Sequence, residues 1–312
     1  MIVWLFACLD PEAPLGEGEP VVIEVPAGAT ARGLEDDLVA AGVPLTGWRW
    51  ALFLRGTDAS CVKAGRHEVS PTMSMQGVLD ALCGAPIPDE VAFTVIEGWR
   101  IRDIDAALAE AGLDEAGRYT QLATTREGIA VPFEVPGTSL EGYLYPETYR
   151  IPKRGAADEL IERQLETFGE RFLRPPPTSG RSMHDLVTMA SLLEREEPDP
   201  ANRPLVAGIL FKRLDAGSPL GVDATSRYTL AAWNDRKAFL GKLRDPDDPY
   251  NTRLRKGLPP TPIGNPTVAS LAAAVSPVPS EFWYYLHDAQ GKLHPARDAA
   301  GHEANRRAYD VW

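Results

Sequence analysis

A mixed α+β fold is what the sequence predicts, and three observations predict it. The front half repeats a strand-then-helix pattern, the back half carries apolar residues at helical spacing, and the stretches between them are rich in Gly, Pro, Asp and Asn. VPAGATARGLEDDLVAAGV, from Val25, aligns without gaps on VIEGWRIRDIDAALAEAGL, from Val95. Gly28 then matches Gly98, Leu34 matches Ile104, Leu38 matches Leu108, and Ala41-Gly42 matches Ala111-Gly112. Each copy reads as a short β run, a Gly turn, an amphipathic helix and a Gly stop. AGRHEVSPTMSMQGVLDAL and EGYLYPETYRIPKRGAADELIERQLETF each read as a strand, a polar break and a helix. The front half is therefore expected to form two β-α-…-β-α units.

RPPPTSG, Arg174 to Gly180, carries three consecutive prolines that cannot continue the helix ending near Phe172, and the main domain boundary is expected there. The segments predicted are 1–19, a remnant of a membrane anchor or linker; 20–88, the first unit; 89–176, a second related α/β segment; and 177–312, a mixed α/β catalytic domain. SMHDLVTMASLLERE reads as a helix with Ser182 as N-cap and Asp185 at the N3 place of a capping box. PLVAGILFKRL, with Pro204 near its first turn, reads as the next. Residues 216–262 are irregular, and long loops of this kind are more often functional than idle. One more helix (PTVASLAAAVSP), a strand (FWYYLHD) and a terminal helix around HEANRRAYDVW complete the chain.

With 312 residues and a hydrophobic share of 44%, the chain can bury a sizeable core. A net charge of −12, with no basic run, excludes nucleic acid as a partner. The three cysteines, Cys8, Cys61 and Cys83, lack metal-ligand spacing, and no metal or cofactor is expected. Cys61 and Cys83 are read either as a disulfide in an exported protein or as two small buried thiols. Only Ile2 to Leu9 of the N-terminus is continuously apolar, less than half of a membrane-spanning helix. It reads as a truncated anchor, a strand, or a lipoprotein signal ending at Cys8, with the anchor favoured.

On the helix from Ser182, Met183, Leu186, Val187, Ala190 and Leu193 form the apolar stripe, with Glu194 at its edge. A carboxyl group there is poorly solvated, which raises its pKa towards the range of a general acid. Glu196 points away from Ala190, whereas Glu197 returns to the apolar side unless Pro198 ends the helix first. Geometry alone leaves Glu194 and Glu197 in competition.

EGWRIRDIDAALA, LEGYLYPETYRI, MASLLEREE, AGILFKRLDAGSPLGVDATSRY, PYNTRLRKGLPPTPIGNPTVASLAAAVSP and FWYYLHDAQGKLHPA, in that order, resemble the MltG/YceG family of membrane-anchored endolytic murein lytic transglycosylases. The resemblance runs from about Val21 to Tyr309 and implies a LysM-like β-α-α-β module over residues 20–88. It also implies cleavage of the MurNAc-GlcNAc bond of peptidoglycan by one Glu, which acts first as acid and then as base and leaves a 1,6-anhydro-MurNAc end. Within its Ala-Ser-aliphatic-aliphatic-Glu-x-Glu pattern the carry-over falls on Glu194 as the acid, with Glu196 supporting. Asp223, Thr225, Tyr250, Asn251 and His294 are carried over as supporting or substrate-binding positions. Peptidoglycan synthases as partners and an inner-membrane, periplasm-facing location are further implications. Gly221 and Lys212 stand where the family usually has Gln and Asn, and the segment around His302 departs from it too. Those departures motivate one alternative, a catalytically impaired peptidoglycan-binding or scaffold protein. A pyridoxal-phosphate lyase, a label this family has carried, is disfavoured by the lack of a Gly/Ser-rich phosphate loop beside a helix start.

Overall fold

The two copies of the sequence repeat fold alike, each as a strand, two helices, a strand and a further helix. In the computed structural model residues 11–311 are described, and the chain divides into one unit ending at Glu90 and another beginning at Val91. The first contains β1 (Val21–Val25), α1 (Glu35–Ala40), α2 (Gly47–Arg55), β2 (Gly65–Val69) and α3 (Met75–Cys83). β1 and β2 pair antiparallel, with Ile23 opposite His67 and Val25 opposite Gly65. Their alternating inward residues Ile23, Val25 and Val69 pack with Leu34, Leu38, Trp50, Leu79 and Leu82. The Trp50 indole, too large to bury without a partner, donates to the Ala31 carbonyl at 3.0 Å. Ser74 caps α3 by accepting from the Gly77 N–H, and a disulfide joins Cys61 to Cys83 at its end. Residues 11–19 do not run free as a linker: Leu15 and Gly16 donate to the Met73 and Pro71 carbonyls. The expected anchor, Ile2 to Leu9, and the lipid-signal reading of Cys8 lie outside the described residues.

The second unit begins with β3 (Glu90–Thr94), α4 (Ile101–Glu110), α5 (Arg118–Thr125), β4 (Thr148–Pro152) and α6 (Ala157–Phe172), and β3 pairs with β4. The matched glycines of the repeat share a backbone state: Gly28 and Gly98 have φ of 80° and 73°, Gly42 and Gly112 of 97° and 68°. A Cβ is unfavourable there, so glycine makes both the turn after each strand and the stop after each helix.

Then follow α7 (Met183–Glu196), α8 (Arg203–Asp215), α9 (Asp223–Tyr228), α10 (Arg236–Lys242), α11 (Val268–Val275), β5 (Tyr284–His287), β6 (Leu293–Ala296) and α12 (Ala299–Ala308). Ser182 caps α7 by accepting from the Asp185 N–H at 3.1 Å, as its spacing predicts. The prolines after Phe172 end α6 but do not divide domains. Phe168 and Phe172 belong to the same core as Leu186, Val187 and Leu271, and α11 packs on α6, α7 and α8. The expected boundary at Arg174 to Gly180 is thus a break in a helix inside one core, because the apolar faces on both sides need each other for burial.

Candidate functional site

Three acids at or beside the end of α7, Glu194, Glu196 and Glu197, have three different fates. Glu194 turns inward. Its Oε1 lies 3.0 Å from Arg203 Nη2, with the two side chains only 4% and 6% exposed. Its Oε2 accepts from Arg203 Nη1 at 3.3 Å, from the Thr267 N–H at 2.9 Å and from the Thr267 hydroxyl at 2.7 Å. Thr267 precedes the first turn of α11, so Glu194 ties α7 to the starts of α8 and α11. The carboxyl group is poorly solvated, as its place beside the apolar stripe predicts, but it is also ion-paired. Helical periodicity put Glu194 at the edge of the stripe, but the guanidinium that neutralises it arrives from the next helix.

Glu197 is wholly buried although the helix has ended. Pro198 holds it in extended backbone (φ −121°, ψ 104°), and that turn directs its carboxylate to the His287 Nε2 at 2.9 Å and the Asp199 N–H at 2.9 Å.

Glu196 faces a cleft of about 610 Å³. Its Oε1 accepts from the Ala224 N–H at 3.2 Å and its Oε2 lies 3.4 Å from the Tyr285 hydroxyl. Burial pushes its pKa above the ordinary glutamate range, and the Asp223 charge adds to the rise. The shift is in the direction a general acid needs, on a carboxyl group that borders open space.

The walls come from separate elements. Arg213 of α8, Arg227 of α9, Arg236 of α10, Arg253 and Arg306 of α12 surround two acids, Glu196 and Asp223, in a chain of net charge −12. Arg213 is held by the Trp283 and Leu220 carbonyls, both at 2.6 Å, and Arg227 lies over the Phe239 ring at 3.8 Å. Arg253 pairs with Asp223 at 2.6 Å. Phe239, Leu240 and Leu243 supply an apolar patch on the α10 side. The cleft can therefore hold a polar, anionic chain against the Glu196 carboxyl group.

Of the other positions carried over as supporting or substrate-binding, Asp223 lines this cleft and the remaining four do not. Thr225 is buried, its hydroxyl donating to the Val222 carbonyl at 2.7 Å, and the buried Asn251 amide braces its loop through the Lys242 and Asp245 carbonyls. Tyr250 packs at a tilt against Tyr228, 4.9 Å between ring centroids, and meets the Thr261 hydroxyl at 2.9 Å. His294 pairs with Asp288 at 2.8 Å and stacks on Tyr309, 3.6 Å between centroids. Each of these four finds its partner within the protein. Among the departures, Gly221 and His302 do border the cleft, whereas the Lys212 ammonium is bound by the carbonyls of Ser280, Glu281 and Phe282.

Sequence reasoning missed Arg213, Tyr285 and His287. The signal for the last two was available: alternation along β5 puts both on one face, and that face meets the end of α7. No cluster of His, Cys, Asp and Glu able to hold a metal ion occurs among the described residues, and no helix there is long and apolar enough to cross a membrane.

The family model described as YceG-like family matches residues 23–308. The chain is 26% identical over 309 residues to the endolytic murein transglycosylase of Bacillus subtilis (strain 168), covering 93% of this chain and 84% of that protein. It is 24% identical over 317 residues to the endolytic murein transglycosylase of Streptococcus pneumoniae serotype 2 (strain D39), covering 91% of this chain and 57% of that one. Among solved structures, the yceG-like protein lmo1499 from Listeria monocytogenes superposes with a TM-score of 0.53 at 23% identity, covering 93% of this chain and all of that one. That likeness concerns the fold.

Proposed function

Because the chain belongs to the YceG-like family, we propose that it is an endolytic peptidoglycan lytic transglycosylase, cutting the MurNAc-GlcNAc bond within glycan strands, with Glu196 as the general acid. The observation that carries the reading is the placement of Glu196: a carboxyl group with a raised pKa, on the wall of an arginine-lined cleft. The protonated Glu196 gives its proton to the oxygen leaving MurNAc C1 as that bond breaks. The Ala224 N–H and the Tyr285 hydroxyl then stabilise the carboxylate that remains. The C6 oxygen of the same MurNAc closes onto C1 as its proton passes to a basic group of the cleft, leaving a 1,6-anhydro end with no water consumed. The arginines answer the carboxylates of the peptide stems. This reading moves the acid from Glu194 to Glu196 and makes Glu194 a brace, since Glu194 is paired with Arg203 and bonded to Thr267 whereas Glu196 borders the cleft.

The reading extends beyond the site. The β1-α1-α2-β2 order of the first unit fits a LysM-like glycan-binding module, and the Cys61–Cys83 disulfide fits folding outside the cytoplasm. We assign the protein to the periplasmic face of the inner membrane, anchored through its N-terminus and beside peptidoglycan synthases, where its cut terminates nascent strands. Mass spectrometry of sacculi digested with wild type, Glu196→Gln, Glu194→Gln and Glu197→Gln tests the enzymatic reading. Anhydro-ended muropeptides are expected from wild type and are lost in Glu196→Gln. Undiminished anhydro ends from Glu196→Gln would falsify the assignment of the acid.

A further inference from the structure

His287 and Glu197 form a buried-to-exposed dyad beside Glu196. Glu197 is fully buried and His287 is 22% exposed, with its Nε2 2.9 Å from Glu197 Oε2. Both carboxylate oxygens are occupied, the other by the Asp199 N–H, and the Glu197 carbonyl accepts from Arg203 Nε at 3.0 Å. The acceptor that holds the ring is therefore itself held. A carboxylate at Nε2 keeps the proton on that nitrogen, so the neutral ring carries its lone pair on Nδ1. No hydrogen bond engages Nδ1 among the described residues, and His287 lines the same cleft as Glu196. Tyr285, two residues earlier on the same face of β5, reaches Glu196 while His287 reaches Glu197, so one strand face addresses both acids.

A carboxylate orienting an imidazole whose other nitrogen faces a substrate cleft is the arrangement of a general base. We propose that His287, oriented by Glu197, is a catalytic residue that accepts the C6 hydroxyl proton during closure of the anhydro ring. The balance is complete. The Glu196 proton goes to the leaving GlcNAc oxygen as the C1–O bond breaks, the C6 oxygen bonds to C1, and its proton goes to His287 Nδ1. The enzyme is left with a Glu196 carboxylate and a His287 imidazolium, and proton exchange with solvent resets both. The inference rests on the transglycosylase reading and divides between two groups the acid and base work that one glutamate would otherwise do in turn. Besides His287, the charged and titratable groups bordering the same space are Glu196 from the end of α7, Arg213, Asp223, Arg227, Arg236, Arg253, Tyr285, and His302 and Arg306 from α12, with Glu197 buried behind the ring.

The test is product analysis of sacculus digests by the full chain. His287→Gln keeps an N–H able to reach Glu197 but has no basic nitrogen, and His287→Ala is assayed with and without added imidazole. Thermal melting confirms that each variant is folded. The expected result is a fall of roughly 100-fold in the rate of anhydro-end formation for His287→Gln. A larger share of hydrolysed, reducing MurNAc ends should accompany it, as water competes for C1, with partial recovery of His287→Ala in imidazole. Should His287→Gln not fold, the imidazole response of His287→Ala decides. A folded His287 variant with wild-type rate and wild-type product ratio overturns the proposal, as does a rate loss with an unchanged ratio and no imidazole response. If wild type itself makes no anhydro ends, the transglycosylase reading falls and the inference with it, a result distinct from failure at His287 alone.

Discussion

Glu194 and Arg203 meet in a two-point pair, 3.0 Å and 3.3 Å across, at the crossing of α7, α8 and α11. With both side chains nearly excluded from water, the pair is a structural clamp. Removing one partner leaves the other charge buried and uncompensated, which costs about 3–5 kcal/mol. Arg203→Ala and Glu194→Ala should each lose stability on that scale in denaturant titrations, and the double variant should lose less than their sum. Strict additivity would show that the pair does not couple.

The pH dependence of the cut should follow Glu196. A general acid works in its protonated form, so the rate falls as pH rises through its pKa. The Asp223 charge contributes to the upward shift of that pKa, after burial. Asp223→Asn removes the contribution, lowers the Glu196 pKa and should move the alkaline limb of the rate profile to lower pH. A pH–rate series on anhydro-end formation reads this directly, and a limb displaced to higher pH contradicts it.

A second buried acid acts on stability. Glu141 is enclosed, accepts from the Ile101 N–H and the Tyr228 hydroxyl, and burial pushes its pKa up to about 8, the nearby Asp103 charge adding to the rise. Its folded pKa is raised, so the folded state holds the proton more tightly than the unfolded chain does. Stability is then greatest at low pH and declines as pH climbs from its ordinary value of 4.5 through about 8. Glu141→Gln, which imitates the protonated form, should flatten that decline. Unfolding free energies measured at several pH values would show an unchanged slope if Glu141 ionised freely.

Reduction should weaken the first unit. The Cys61–Cys83 bond spans 22 residues, and closing a loop of that size stabilises by about 3 kcal/mol through the unfolded chain. Paired Cys61→Ser and Cys83→Ser substitutions should lower the unfolding free energy of the region up to Glu90 by that order, read by hydrogen exchange on its amides. Protection equal to wild type would argue that the thiols are merely neighbours.

The sequence by itself determined the local architecture. Spacing of apolar residues located α4, α6, α7, α8 and α11, the gapless alignment at Val25 and Val95 exposed the repeat, and the matched glycines marked its turns, because backbone preference and amphipathicity act within a few residues. Ser182 as a cap was legible for the same reason. Which acid borders the cleft was not legible in the same way. Glu194, Glu196 and Glu197 are near neighbours on the chain, and nothing local shows that Arg203 neutralises the first, that His287 from a distant strand binds the third, or that Arg213 and Tyr285 border the second. The proline segment at Arg174 misled as a domain boundary for a related reason: a helix break is a local event, whereas a shared core is a long-range one. Burial and charge pairing depend on partners remote in sequence, and at this site burial raises the pKa of the acid on which the proposed chemistry depends.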